Sequence, residues 1–290
     1  MTTLDSPAPG TAIAYRDPVR LRQSRRRARR DALVSMASLV IVVLVVVAVV
    51  GRTPGWPVVR ETFFNAQQFA DSFPGLLEAF WLNVRIFLIA EPIILVLSLG
   101  IAIIRTLRAP VLLPVRLLAT IYVDVFRGVP TILVIFLLGF GVPALRLQGV
   151  PTSPLLWGTA ALVLSYSAYV AEVFRAGLGS VHPSQRMAAR SLGLTTWQTN
   201  RYVVIPQAIR NVVPPLLNDF ISLQKDTALV AVLGPVEVLR QAQIDASSTF
   251  NYTPYVAAAL IFIALTIPMT RFADWVQSRM SARQRAASSA

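Results

Sequence analysis

Polar side chains interrupt the apolar stretch LLNDFISLQKDTALVAVLG at residues 216–234, among them Asn218, Asp219, Ser222, Lys225 and Asp226. At 100° per residue, Asn218, Ser222 and Lys225 form one helical stripe, with both aspartates beside it. A charge at the centre of a bilayer costs about 2.5–3.5 kcal/mol on insertion scales, so these side chains are expected to face protein or water. The stripe predicts a path for a polar solute or a seam between subunits. A fixed ion-pair network between helices is the alternative.

A second charged pattern lies near the end of another apolar run, where Glu172 precedes Arg175 by three residues. Residues three apart are neighbours on a helix, so we expect a structural pair that positions the segment that follows. Arg85 and Glu91, in an earlier apolar run, receive no role.

The polar segment 176–211, AGLGSVHPSQRMAARSLGLTTWQTNRYVVIPQAIRN, predicts two short helices. Ser184 is the expected N-cap of a helix over 185–192, and Gly193 sits where a left-handed C-cap is needed. Thr195 and Gln198 form a T-x-x-Q capping box for the second helix, which Pro206 should end. Two capped helices indicate more than a connector, although a purely structural elbow is the alternative.

The composition indicates that these segments belong to an integral membrane protein. Of 290 residues, 55% are hydrophobic and 14% are charged, whereas soluble domains carry about 25% charged residues. Apolar runs of about 20 residues match a hydrocarbon core of about 30 Å. We therefore expect an all-α integral membrane protein, a bundle of six transmembrane helices over residues 33–50, 79–104, 117–140, 154–175, 212–235 and 254–274.

The basic residues predict the orientation of the bundle. The net charge of +13 and the arginine cluster in residues 25–30 could indicate nucleic acid, but the cluster directly precedes the most apolar run and is typical of a topology signal. With the N-terminus inside, twenty of the 27 Lys and Arg residues fall on the inside, counting Arg175 and Arg271 at the inner ends of their spans, and four fall in outside segments. Both termini are expected in the cytoplasm of a multi-pass protein, and nucleic acid is not expected as a partner.

The segments around the spans complete the predicted organisation. Residues 1–32 form a basic cytoplasmic tail, expected to be flexible, and 33–50 form a true first span rather than a cleaved signal. Residues 51–78 are extracytoplasmic and are expected to hold an aromatic interfacial helix. A five-helix core covers 79–275, and 276–290 form a cytoplasmic tail.

Motifs for catalysis do not occur. Lys225 is the only lysine and follows no glycine-rich run, so the sequence has no phosphate-binding loop of the ATPase type. The chain has no cysteine and one histidine, His182, and no catalytic, cofactor or metal site is expected. Any energy for transport must come from a partner.

Four motifs in order resemble those of permease subunits of bacterial ABC importers for polar amino acids, the histidine/glutamine/glutamate type. That family carries F-R-G-x-P, Y-x-A-E-x-x-R, Q-x-E-A-A-x-x-L-G followed by P-Q-A, and K-D-T. This chain has FRGVP at 126–130, YVAEVFR at 169–175, QRMAARSLG at 185–193 with PQA at 206–208, and KDT at 225–227. The matches span roughly residues 75–280.

The resemblance implies the fold and partners of a type I ABC importer permease in the bacterial inner membrane. It implies two ATP-binding subunits that carry ATP and Mg, a second permease that is a copy or a paralogue, an extracytoplasmic solute-binding protein, and surrounding lipid. It also implies that 176–211 is the coupling loop, which docks on the ATPase. The implied coupling residues are Gln185, Met187, Ala188, Ala189, Leu192, Gly193, Leu194 and Trp197.

Met187 stands where the family has glutamate. With Ser184 as N-cap, the missing acid would sit at the third helical position, where it completes a capping box. Methionine cannot do so, but its thioether fills irregular gaps. We therefore expect Met187 to be buried against the ATPase or the neighbouring helix, with simple exposure as the alternative.

Three other functions compete with this interpretation. An ABC permease for another small solute is the nearest, and the Y-x-A-E-x-x-R and K-D-T matches disfavour it by resemblance. A secondary transporter or channel more often carries an inverted repeat, which is not visible here. A membrane-anchored scaffold would not need such polar spans.

Overall fold

The computed structural model describes residues 18–107 and 109–288, and every regular element in these ranges is helical. Apolar runs of this length form helices in lipid because only a helix satisfies all of its backbone hydrogen bonds within one segment. The chain divides into two units, Met1–Arg60 and Glu61–Ala290. The predicted all-α class is confirmed.

The first unit is dominated by α1, Pro18–Gly51. The predicted first span is helical, but the helix begins at Pro18, inside the segment expected to be flexible. Residues 1–17 of the predicted basic tail lie outside the described residues. Between Leu33 and Gly51 none of the apolar side chains is buried within the structure. A 19-residue apolar helix with all faces exposed has the length and composition that a lipid environment requires. A short helix, α2, follows at Trp56–Phe63.

The core of the second unit forms between α3, Ala66–Thr106, and α7, Pro154–Gly179. The predicted span 79–104 lies within α3, whose helix begins before it. Asn65 starts the helix much earlier, because its side chain accepts hydrogen bonds from the N–H groups of Gln67 and Gln68 at 2.9 and 3.0 Å. Ile94 of α3 and Leu162 of α7 are fully buried in the main hydrophobic cluster.

The predicted span 117–140 is broken into pieces, α4 at Leu113–Gly128, α5 at Thr131–Phe136 and α6 at Val142–Ala144. The chain bends by 105° at the first break, where Val129 is extended before Pro130. Proline disfavours the helical conformation of the residue before it, which explains the position of the break. A π-helical turn, Leu137–Gly141, joins α5 to α6 and places Gly139 against Leu233.

The segment after α7 contains two short helices, α8 at Pro183–Ser191 and α9 at Thr196–Thr199, and then α10 at Ile205–Asp226. A tight 3₁₀ turn, Thr227–Leu233, follows α10, and Gly234 reverses the chain with a φ of 105°. The last helices are α11, Val238–Thr249, and α12, Thr253–Ser288. A second hydrophobic cluster joins α11 and α12 to the beginning of α3.

By length and composition, four helical segments in the described ranges can cross a membrane, or five if the bent pair around Pro130 counts as one. The four are Leu33–Gly51, Trp56–Thr106, Pro154–Gly179 and Thr253–Ala282. The predicted span 212–235 is not among them, because its helix ends at Asp226 and three charged side chains lower its hydropathy. The count of six spans therefore stays a prediction.

Candidate functional site

The first helix of the predicted coupling loop begins two residues earlier than predicted. His182, not Ser184, is the N-cap of α8, and its Nδ1 accepts from the Ser184 N–H at 3.2 Å. Pro183 explains the shift, because proline has no N–H to leave unsatisfied and its φ suits the first helical position. Met187 is therefore the fifth helical residue, and the argument that it replaces the acid of a capping box was wrong.

The turn after α8 matches the prediction for Gly193, whose φ is 82°. The Gly193 N–H donates to the Arg190 carbonyl at 3.0 Å, and the Leu194 N–H donates to the Ala189 carbonyl at 3.2 Å. These two bonds define a Schellman motif, which satisfies the last carbonyls of the helix.

The second helix starts as predicted but does not end at Pro206. Thr195 and Gln198 form the full capping box, with bonds of 3.2 and 2.8 Å. The helix then passes through a π-helical turn, Asn200–Val204, directly into α10. Pro206 lies in the first turn of α10, directly after the π-helical turn, where the regular helical hydrogen-bond pattern is already interrupted. The coupling loop therefore continues directly into the helix that bears the polar stripe.

The predicted coupling residues differ in exposure, and only the exposed ones can contact a partner protein. Leu192, Trp197 and Met187 are 83%, 67% and 62% exposed. Gln185, Ala188 and Gly193 are also exposed, and Leu194 is half-buried. Ala189 is only 5% exposed and packs within the loop, and its role in coupling stays a prediction. The expected burial of Met187 against a neighbouring helix was wrong, whereas its contact with an ATPase stays a prediction.

Two side-chain bonds tie the coupling loop to the helices of the core. The Arg186 guanidinium donates to the Leu178 carbonyl of α7 at 3.0 Å. The Asn211 amide of α10 donates to the Ser180 hydroxyl at 2.7 Å. Arg186 therefore ties α8 to α7, and Asn211 ties α10 to the link between α7 and α8.

The predicted pair of Glu172 and Arg175 is present and has a third member. Arg175 binds both carboxylate oxygens of Glu172, and Arg105 Nη1 binds Glu172 Oε2 at 2.8 Å. Sequence reasoning missed Arg105, which is 67 residues away and carries no local signal. This triad connects the end of α3 to the end of α7.

The five polar residues of the stripe lie on α10, and we refer to them as the α10 stripe. Asn218 and Lys225 are exposed, whereas Asp219, Ser222 and Asp226 are half-buried. Asp219 Oδ2 is buried without a hydrogen-bond partner in the described part of the chain. Across the described residues no ion pair involves this stripe. The alternative of a fixed ion-pair network therefore gains no support.

Aromatic side chains of α7 bring three of the four sequence motifs together. The Tyr166 hydroxyl donates to Asp226 Oδ2 at 2.7 Å, and the Tyr169 hydroxyl donates to the Arg127 carbonyl at 3.3 Å. The Arg127 guanidinium lies 5.9 Å from the centre of the Tyr169 ring, within the range of a cation–π contact. The break before Pro130 thus faces α7, which in turn contacts the end of α10.

A second polar group, missed in the sequence, joins α3 to the beginning of α11. We call Asn83, Thr227 and Glu237 the buried polar cluster, and each is at most 1% exposed. Asn83 Nδ2 donates to Glu237 Oε2 at 2.8 Å and to Thr227 Oγ1 at 3.2 Å, and Asn83 Oδ1 accepts from the Val238 N–H. Burial raises the pKa of the Glu237 carboxyl, and hydrogen bonds from Asn83 and backbone N–H groups partly offset that effect.

No group of three or more metal-ligating side chains occurs within the described ranges. What the site offers is an exposed apolar loop, a polar helix face and a connected set of aromatic contacts. Such an arrangement can bind, transmit movement and line a path.

Comparison with known proteins shows which family this chain resembles. Residues 113–282 match the family described as "Binding-protein-dependent transport system inner membrane component". "Probable glutamine ABC transporter permease protein GlnM" of Bacillus subtilis is 34% identical over 219 residues, 74% of this chain and 98% of the relative. "Probable amino-acid ABC transporter permease protein PatM" of Vibrio harveyi is 36% identical over 188 residues, 64% of this chain and 83% of the relative. A solved amino acid ABC transporter, described as containing histidines, is 34% identical with a TM-score of 0.65, covering 71% of this chain and 94% of that one.

Proposed function

The chain belongs to the family of inner membrane components of binding-protein-dependent transport systems, and we propose that it is the permease subunit of an ATP-driven importer of polar amino acids. The observation that carries the proposal is the convergence of three separated motifs on α7, beside a fourth that forms the coupling loop. Relatives of 34% and 36% identity are named as amino-acid permeases, which supports the substrate class.

The coupling loop is where a partner ATPase acts in this proposal. Leu192, Trp197 and Met187 offer apolar anchors on two short helices, the form in which helices bind grooves. The caps at both ends of the turn keep the anchors in fixed positions. ATP and Mg bind to two ATPase subunits, and this chain makes and breaks no covalent bonds. Movement of α8 then reaches α7 and α10 through Arg186 and Asn211.

The α10 stripe and the Arg127 region line the path or the seam with a second permease, which is a copy or a paralogue. Asn218 and Lys225 are exposed in the single chain and carry donors that a solute or the second permease can use. A solute-binding protein delivers the amino acid from outside.

The proposed orientation puts both termini in the cytoplasm of this multi-pass inner membrane protein. It rests on the excess of basic residues in the inside segments and places the coupling loop on the ATP side. Reporter fusions after residues 60, 147 and 245 should report outside, and fusions after 110, 190 and 285 inside. One reversed pair contradicts the orientation.

Uptake tests the substrate class. Cells lacking the chain, complemented with wild type or with empty vector, are given labelled glutamine, glutamate, histidine and arginine, with leucine and a sugar as controls. We expect the wild type to restore uptake of at least one polar amino acid and neither control. Restored uptake of the sugar alone favours an ABC permease for another solute. Uptake that an ionophore abolishes while ATP is maintained favours a secondary transporter.

A further inference from the structure

A basic cavity of about 370 Å³ opens where the end of α3, the start of α4 and the end of α7 meet. Its lining residues are Arg105, Leu113, Arg116, Leu117, Thr120 and Arg175. Of these side chains only Arg175 has an assigned role, as the partner of Glu172 ahead of the coupling loop. The cavity is separate from the α10 stripe, which contributes no lining residue.

The charge of the cavity is strongly positive. Three guanidinium groups line it, and Glu172 is the one carboxylate that pairs with them in the described part of the chain. The Arg105 side chain is only 11% exposed and is held by its ion pair with Glu172. Arg116 is held instead by the Leu107 carbonyl, to which its Nη1 donates at 3.2 Å. Two positive charges are therefore left without a balancing carboxylate.

The hydrogen-bond donors of the cavity are also largely unused. A guanidinium carries five N–H donors in a planar fork that matches phosphate oxygens. Within the described residues Arg105 and Arg116 each donate one side-chain bond, and Arg175 donates two. An anion with several oxygens is the chemistry that satisfies such a set of donors.

The surface beside the cavity is apolar. Leu113 and Leu117 line it and are 46% and 53% exposed, and Val115 and Leu118 of the same helix are 46% and 68% exposed. In the described residues of α4, Val123 is the one buried side chain. A soluble anion would leave these side chains uncovered, whereas the acyl chain of a lipid covers them.

We propose that this cavity binds the headgroup phosphate of an anionic phospholipid, with its acyl chains along the exposed face of α4. Basic pockets between transmembrane helices on the cytoplasmic side suit such headgroups, because that leaflet carries negative lipids. The placement rests on the proposed orientation, in which the end of α3 and the start of α4 lie inside. Lipid binding by the purified protein does not depend on its orientation in the membrane. A failure of the lipid-binding proposal is therefore distinguishable from a failure of the proposed orientation.

Arg116→Gln is the sharpest variant, because it removes one cavity charge and leaves the Arg105–Glu172–Arg175 triad intact. Arg210→Gln is the matched control, since Arg210 is an exposed arginine of α10 outside the cavity. The full chain with its co-purifying partners is titrated in neutral detergent with phosphatidylglycerol or phosphatidylcholine, and bound lipid is counted by native mass spectrometry. We expect phosphatidylglycerol to bind wild type and the control alike, and Arg116→Gln about fivefold more weakly.

Four results would overturn the proposal. Equal binding of phosphatidylglycerol by wild type and Arg116→Gln would show that the lipid does not bind in the cavity. Equal binding of phosphatidylcholine and phosphatidylglycerol by wild type would show that the negative charge of the lipid does not determine binding. A rise in melting temperature with inorganic phosphate equal to that with phosphatidylglycerol identifies a free anion site instead. If Arg116→Gln instead releases the ATPase while lipid binding is unchanged, the cavity is a protein contact. Melting of each variant without lipid shows whether it is folded, and Arg116→Lys should restore part of the binding.

Discussion

Two groups of polar side chains lie among the apolar helices, and they differ in how their hydrogen bonds are satisfied. In the buried polar cluster, Asn83 uses both amide atoms, and Glu237 accepts from Asn83 and from the Arg240 N–H. In the α10 stripe, Asn218 and Lys225 face outward, and Asp219 Oδ2 has no partner within the described residues. The first group is complete within one chain, whereas the second is not.

This difference separates polar residues that hold the fold from those that are available for function. A buried polar group without a partner costs free energy, and a satisfied network holds its helices in one arrangement. The buried polar cluster therefore fixes α3 against the beginning of α11. Asn218 and Lys225 of the α10 stripe can change partners at small cost because both side chains are exposed.

The most direct way to break this comparison is to remove the central amide. Asn83→Ala leaves the Glu237 carboxylate and the Val238 N–H buried without their partner, so we expect a loss of about 3 kcal/mol in the free energy of unfolding. Asn218→Ala, the matched change in the α10 stripe, should cost less than about 0.5 kcal/mol. Denaturant titration of both variants in detergent measures the two losses. Similar losses in the two variants would contradict the distinction between the buried polar cluster and the α10 stripe.

Close packing at the other end of the molecule extends the comparison. A Cβ on Gly177 would overlap Val212 of α10 and lie 3.4 Å from the Ala208 carbonyl, whereas nothing lies within 4 Å of a Cβ on Gly179. We expect Gly177→Ala to cost about 1–3 kcal/mol by forcing α7 and α10 apart, and Gly179→Ala to be nearly neutral. The same titration checks this. A neutral Gly177→Ala would mean that this helix pair is loosely packed, in contrast to the buried polar cluster.

A substitution of Gly193 should destabilise the turn of the coupling loop rather than the whole fold. A β-branched residue at a φ of 82° is strained, so Gly193→Val should cost about 1–2 kcal/mol at that turn. Asn tolerates this conformation, and Gly193→Asn should be milder. We expect faster hydrogen exchange of the amides of 183–199 in the valine variant, and loss of transport-coupled ATPase activity in the assembled complex. Normal coupling by Gly193→Val would contradict the place of this turn in the coupling loop.

Local chemistry explains which parts of the molecule were predictable. The Thr195–Gln198 box follows from side chains that bond to their own backbone neighbours, and the Gly193 turn follows from a residue that has no Cβ to oppose a positive φ, so the sequence pattern was sufficient. The start of α8 was misplaced by two residues because Pro183 and the His182 cap were not weighed together. Long apolar runs predicted helices, but not their ends, since Asn65 starts α3 well before the apolar run.

Contacts between distant residues could not be predicted. Arg105 meets Glu172 across 67 residues, and Asn83 meets Glu237 across 154. Single polar residues within an apolar run carry no signal of the partner they will find. The same limit applies to the α10 stripe, where helical spacing showed which residues share a face but not what that face meets.

The smallest expected effect on stability concerns Met187, on the exposed side of the comparison. With His182 as N-cap, a glutamate at this fifth helical position cannot reach back to the cap and gains only a weak interaction with the helix dipole. Met187→Glu should therefore change the free energy of unfolding by less than about 0.5 kcal/mol. If the 62% exposed side chain is an apolar anchor for the ATPase, the same change should lower coupled ATPase activity, while Met187→Leu retains it. Comparing both variants in the assembled complex separates stability from docking. Higher coupled activity in the glutamate variant would mean that the ATPase groove prefers a charge here, and that Met187 weakens the contact rather than making it.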